Sequence, residues 1–75
     1  MSQLPETVTV MAKLRKIREA KGLTQADVSA RMNRSDACVS MIENATRDPG
    51  LSTFIRYLRA LGFRLSCEEI RDDHH

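Results

Sequence analysis

The twenty residues from Gln25 to Asn44, QADVSARMNRSDACVSMIEN, carry the steric pattern of two short helices crossing at a tight turn. Val28 and Met32, four apart, make an inward stripe on the first helix. Ser29 beside them is small enough to let two helices approach closely. Asn33 stands where the chain must turn, and Asn tolerates the left-handed conformation better than any residue except Gly. Ser35 is a ready N-cap for a second helix from Asp36 to about Asn44, in which Val39 and Ile42, three apart, face inward. Upstream, Thr24 caps the first helix, with Asp27 three residues later as its capping-box partner.

Outward from this window the elements continue to be helical. From about Thr7 to Lys21, Val10, Leu14 and Ile17 recur at spacings of four and three with Met11 beside them, and Gly22 stops the run. Residues 1–6, polar and broken by Pro5, read as a loose arm. Asp48, Pro49 and Gly50 make a loop. A further helix follows with Ser52 near its cap, the stripe Leu51, Phe54, Ile55, Leu58 and Leu61, and Gly62 at its end. Then Phe63, Leu65 and Cys67 alternate with Arg64, Ser66 and Glu68, which is the period of a strand. The expectation is an all-α domain of four to five helices over residues 7–62, a helix-turn-helix at 25–44, a C-terminal strand at 63–70 and a disordered tail at 71–75.

At 75 residues, with 41% hydrophobic and 29% charged side chains, the chain suits one small globular domain. Aromatics are 4% and Trp is absent, so the core falls to Leu, Ile, Val, Met and Ala. No apolar run approaches the ~20 residues of a membrane span, and Met1 to Val10 lacks the pattern of a secretory signal. Cys38 and Cys67 are too few for a disulfide framework or a zinc site, and His74 and His75 read as tail, so no metal or cofactor is expected. Cys38 reads as a packing residue. The chain reads as a cytoplasmic, reduced, soluble binding module and not as an enzyme, since no nucleophile or ligand cluster stands out.

The charge, +2 overall, is unevenly placed. Residues 13–34 carry Lys13, Arg15, Lys16, Arg18, Lys21, Arg31 and Arg34 against Glu19 and Asp27. From Ser66 onward, Glu68, Glu69, Asp72 and Asp73 face Arg71 alone. Without that tail the body holds eleven basic and six acidic groups, a net +5. Such a body suits phosphate, though basic residues on a helix also serve simply as its solvated face.

The stretch from about Met11 to Leu65, roughly three-quarters of the chain, resembles the Cro/repressor-type (XRE-like) helix-turn-helix family of phage and small bacterial regulators, a lambda-repressor-like fold. "LTQADVS" at Leu23–Ser29, "SMIENA" at Ser40–Ala45 and the proline loop carry the resemblance. It implies that Gln25, Ser35, Asn44 and Arg47 hold DNA phosphates, and that the helix 36–44 enters the major groove. Arg34, Asp36, Ala37, Ser40 and Met41 would then meet base edges. The departures are Ala45 where the family has Gly after the Asn, and Asn33–Arg34 in place of Gly–Val. The reading helix also offers no Gln or Arg for bidentate base contacts, leaving Arg34 at its edge as the one strong guanine donor.

A lone strand lacks backbone partners, so Phe63, Leu65 and Cys67 are expected to pair with the same strand of a second copy. The expected function is a homodimeric transcriptional repressor binding an inverted-repeat operator in double-stranded DNA, in its own promoter above all. The chain's length leaves no room for a ligand-sensing domain. An antitoxin that neutralises a protein toxin is the alternative, with the acidic tail as a docking element. A helix-turn-helix kept purely for protein contacts is a third reading. No membrane partner is expected.

Overall fold

Four helices, α1 (Pro5–Ala20), α2 (Gln25–Met32), α3 (Asp36–Asn44) and α4 (Leu51–Ala60), appear in a computed structural model that describes residues 5–70. The expectations for residues 1–4 and 71–75 lie outside the described residues. Helix α3 packs against both α1 and α2, and α4 lies on α2.

The middle of the chain folds where its local chemistry directs. Thr24 Oγ1 accepts from the Asp27 N–H at 3.0 Å, and the Thr24 N–H donates to Asp27 Oδ2 at 2.8 Å, so α2 begins with a closed capping box. Asn33 takes the left-handed conformation (φ 57°, ψ 46°), and the Arg34 N–H returns to the Ser29 carbonyl at 3.0 Å. Ser35 Oγ accepts from the Cys38 N–H at 3.2 Å and starts α3. Val28, Ser29, Met32, Val39 and Ile42, the positions on which the helix crossing depends, are all buried. Each large apolar side chain among them contributes about 1.5–3 kcal/mol by leaving water.

The outer elements depart from the sequence reading in four places. Helix α1 starts at Pro5 and not at Thr7, because a proline lacks the N–H that the first helical turn leaves unbonded anyway. Its buried stripe is Met11, Leu14 and Arg18, with Ile17 half-buried and Val10 exposed. The inward face is therefore turned by one residue from the expected one, since Arg18 finds a buried partner. Helix α4 is preceded by Gly50 at φ 85° with no side-chain cap, so Ser52 does not serve as one. Tyr57 occupies the centre of the α4 face, stacked on Phe54 at 6.5 Å, whereas Leu51 is 69% exposed.

The sequence pattern at 63–70 is that of a strand. Residues 63–70 run on without helix or strand, and Phe63, Leu65 and Cys67 are exposed. Period-two alternation prepares a segment for a ladder, but a ladder needs a second segment, and none of the described residues supplies one.

Several basic side chains are spent on helix ends. Lys21 Nζ donates to the Leu61 carbonyl at 2.8 Å and Arg31 Nη1 to the Ala60 carbonyl at 2.9 Å, so two cations close the C-terminus of α4. Arg56 Nη1 reaches the Met32 carbonyl at the end of α2.

Ala45 ends α3 at φ 54°, ψ 37°, a conformation costing an L-residue about 1–2 kcal/mol. Glycine there relieves that strain but adds about 0.4–1 kcal/mol of unfolded-chain entropy. Ala45→Gly is therefore expected to raise the thermal midpoint by a few degrees, read by circular dichroism. An unchanged or lower midpoint would show that the half-buried Ala45 methyl outweighs the strain.

Candidate nucleic-acid interface

Helix α3 buries Val39, Ile42 and Glu43 on one side. On the other side Ala37 and Asn44 are exposed, with Ser40 and Met41 half-buried between them. Asn44 Nδ2 donates to Ser40 Oγ at 3.2 Å, one turn back along the helix. Asp36, in the first turn, accepts from the Ser29 hydroxyl, which also lies 3.0 Å from the Ala26 carbonyl. One Asp36 oxygen is thus engaged in joining α3 to α2, and only the other can face a ligand. Met41 packs partly on the core, so it is half support and half surface.

Around this row stand the other residues expected to meet DNA. Gln25 is the first residue of α2, half-buried, its Nε2 donating to Glu43 Oε1 at 3.1 Å. That bond uses one amide hydrogen and leaves the second hydrogen and the carbonyl oxygen for other partners. Arg34 is exposed and bonds the Asn33 carbonyl at 3.2 Å, just before α3. The Ser35 oxygen caps α3 as an acceptor, which leaves its O–H to donate. Arg47 is exposed on the loop after α3.

Sequence reasoning passed over what lies beneath. The Glu43 side chain is fully buried. Arg18 approaches it with Nε on Oε2 at 2.6 Å and Nη2 on Oε1 at 3.1 Å, a two-pronged pair. Tyr57 donates its hydroxyl to Oε2 at 2.7 Å, and Gln25 adds the fourth bond. Arg18 Nη1 also holds the Leu23 carbonyl at 2.6 Å. Burial alone pushes the Glu43 carboxyl up, but the bonds from Arg18, Tyr57 and Gln25 together hold it below the ordinary carboxylate range. Burial and the Glu43 charge push the Tyr57 hydroxyl up, so it remains a donor. The Glu43 bond outweighs desolvation at Arg18 and raises its already high value.

A signal for this cluster existed. Arg18 follows Leu14 by four, Glu43 follows Val39 by four, and Tyr57 follows Phe54 by three. Each therefore occupies a core-facing position, and the two charges have opposite sign. The basic cluster on α1 is corrected accordingly: Arg18 is internal, Lys21 closes α4, and Arg15 pairs with Glu19 at 3.4 Å. Lys13 and Lys16 stay exposed.

The profile of the helix-turn-helix family matches residues 14–66, which takes in α2, α3, α4 and the second half of α1. The chain belongs to the Cro/repressor-type helix-turn-helix family. The family is one of DNA-binding domains in transcription regulation. A protein of Sinorhizobium fredii, named as the uncharacterized HTH-type transcriptional regulator y4dL, is 33% identical over 60 residues. That match covers 80% of this chain but 31% of the relative, so the chain spans about a third of its length. No solved structure matches the chain. Among the described residues no helix is long and apolar enough to cross a membrane, and no group of three His, Cys, Asp or Glu could hold a metal ion.

Because folding lowers the Glu43 value, the stabilising contribution is present above the unfolded carboxyl value, about 4.3, and fades as pH falls through the folded one. Tyr57→Phe removes one bond to the carboxylate and is expected to cost about 1.5–3 kcal/mol at pH 7. The gap between wild type and variant should narrow as pH falls through the folded Glu43 value, where the carboxyl becomes neutral. Urea unfolding across a series of falling pH values measures it, and a gap independent of pH would mean that Glu43 is not charged in the folded domain.

Proposed function

We propose that the chain acts as a homodimeric transcriptional repressor that places α3 in the DNA major groove at an inverted-repeat operator, in its own promoter above all. The observation that carries this reading is the outward row Ala37, Ser40, Met41 and Asn44 on a helix clamped from behind through Glu43. A rigid helix with a small, polar outer face is what close approach to base edges requires. Gln25 and the exposed N–H groups that open α2 would hold one phosphate, with Ser35 near by. Asn44 and Arg47 would hold another on the far side. Asp36, through its unengaged oxygen, and Ser40 would accept from or donate to bases, Ala37 and Met41 would meet thymine methyls, and Arg34 would supply a guanine contact. With so few strong base donors, DNA shape and half-site spacing would share in specificity.

The test is binding to the DNA upstream of the protein's own gene against a shuffled control at ~150 mM salt, where non-specific affinity is weak. Preference for the native DNA by a hundredfold or more is the expected result; equal, weak binding to both would overturn the reading and turn attention to protein partners, an antitoxin's toxin among them. Gln25→Ala and Asn44→Ala should weaken binding to all sequences alike and leave the salt slope nearly unchanged, because neither side chain neutralises a phosphate charge. Asp36→Asn, which keeps an acceptor for Ser29, and Ser40→Ala should instead alter which operator bases are preferred. If all four variants bind as the wild type does, α3 is not the docking face.

A further inference from the structure

In strand geometry residues 63–70 would present two faces: Phe63, Leu65, Cys67 and Glu69 on one, Arg64, Ser66, Glu68 and Ile70 on the other. All are exposed, Phe63 by 40%, Leu65 by 42% and Ile70 by 90%, although three of them are large and apolar. The segment starts sharply: the Phe63 N–H donates to the Leu58 carbonyl at 2.8 Å and Gly62 turns at φ 93°, so ladder geometry is available only from Phe63 onward.

When a segment pairs antiparallel with its own copy about a two-fold axis, directly opposite residues share a face. The axis must then pass beside one residue and its own copy, here Leu65, Ser66 or Cys67 for the best-centred ladders. Centring on Leu65 stops the ladder at residues 63–67, because Glu68 would fall opposite the partner's Gly62 in its turn. Centring on Cys67 sets Leu65 opposite the partner's Glu69 and Arg64 opposite the partner's Ile70. Centring on Ser66 pairs residues 63–69 throughout, sets Leu65 opposite the partner's Cys67, and sets Arg64 opposite the partner's Glu68, twice by symmetry. The partner's Glu69 then falls opposite Phe63, whose ring lies 5.0 Å beneath the Lys21 ammonium, a second match of charge.

We propose that residues 63–69 form a two-stranded antiparallel ribbon with a second copy of the chain, centred on Ser66 and keyed by Arg64 against the partner's Glu68. This rests on the homodimer reading above and adds its register. Opposite charges facing across strands stabilise a pair and like charges destabilise it, so the ionic pair selects this register over its neighbours.

Disulfide trapping reads the register directly, because opposite residues on paired strands come within reach of a disulfide whereas diagonal ones, about 7–8 Å apart, do not. In the full chain carrying Cys38→Ala and Cys67→Ser, Ser66→Cys should give a covalent dimer under mild oxidation, whereas Leu65→Cys should not. The chain with Cys38→Ala alone, which keeps Cys67, should not either. Separately, Arg64→Glu and Glu68→Arg should each raise the dimer dissociation constant by about tenfold or more. An equimolar mixture of the two should restore it, since both ionic pairs reform in the heterodimer. Trapping at position 65 or 67 overturns the register while leaving the dimer. A dimer by sedimentation that none of the cysteines traps and neither charge reversal weakens overturns the ribbon as its interface. A monomer at every concentration overturns both. Positions 64–68 are exposed and outside the helices, and Cys38→Ala puts a strong helix former at a half-buried place in α3, so far-UV circular dichroism of every variant should match the wild type.

Discussion

One carboxylate, that of Glu43 on α3, accepts hydrogen bonds from a side chain of each of the other three helices: Arg18 from α1, Gln25 from α2 and Tyr57 from α4. The helices are 8 to 16 residues long, lengths at which isolated helices are marginal in water. Stability must therefore come from how they meet. Burying an ion costs several kcal/mol unless its partners are well placed. Any slip in the rotation or height of one helix would leave the charge short of a bond. The requirement is non-negotiable in a way that greasy contact is not, and it sets all four helices in one register.

That arrangement also separates the two faces of α3. Glu43 and Asn44 are neighbours in sequence, yet one is sealed and the other exposed. Gln25 touches the buried carboxylate with one amide hydrogen while standing at the exposed start of α2. The interior charge thus sits directly behind Gln25 and Asn44, two of the four side chains proposed for the DNA backbone. Elsewhere, cations that a tally of charge assigns to the surface are drawn onto the carbonyls that end α4 and α2. The proposed binding face would rely on helix ends, amides and hydroxyls more than on net charge.

The window from Thr24 to Asn44 was legible because its determinants are local. A capping box closes within four residues, a left-handed Asn declares a turn by itself, and Val28, Met32, Val39 and Ile42 announce their burial through spacing alone. The pair Arg18–Glu43 joins residues 25 apart, and residue type argued against burial for both. Recognising it meant trusting helical position over polarity. The same preference for polarity displaced the α1 stripe onto Val10. Tyr57 was passed over beside more hydrophobic neighbours, although its hydroxyl is what suits it to a site with a buried acceptor. Residues 63–69 alternate in the sequence, but a strand is a relation between two segments and the pattern names only one of them.

Helix α3 has nine residues, and at about 1.5 Å per residue it is some 13 Å long. Laid along a duplex whose base pairs rise about 3.4 Å, it can scan about four of them. Two such helices would address about eight base pairs, and a fixed eight-letter word recurs by chance once in some 65,000 base pairs. A chromosome of a few million base pairs would hold dozens of equal copies, far below the selectivity a regulator needs against its roughly 10⁶ or more competing positions. The information missing from the letters would then have to come from DNA shape and from the distance and phase between the two halves. The element that sets that distance would be as much a part of the code as the helix that touches the bases.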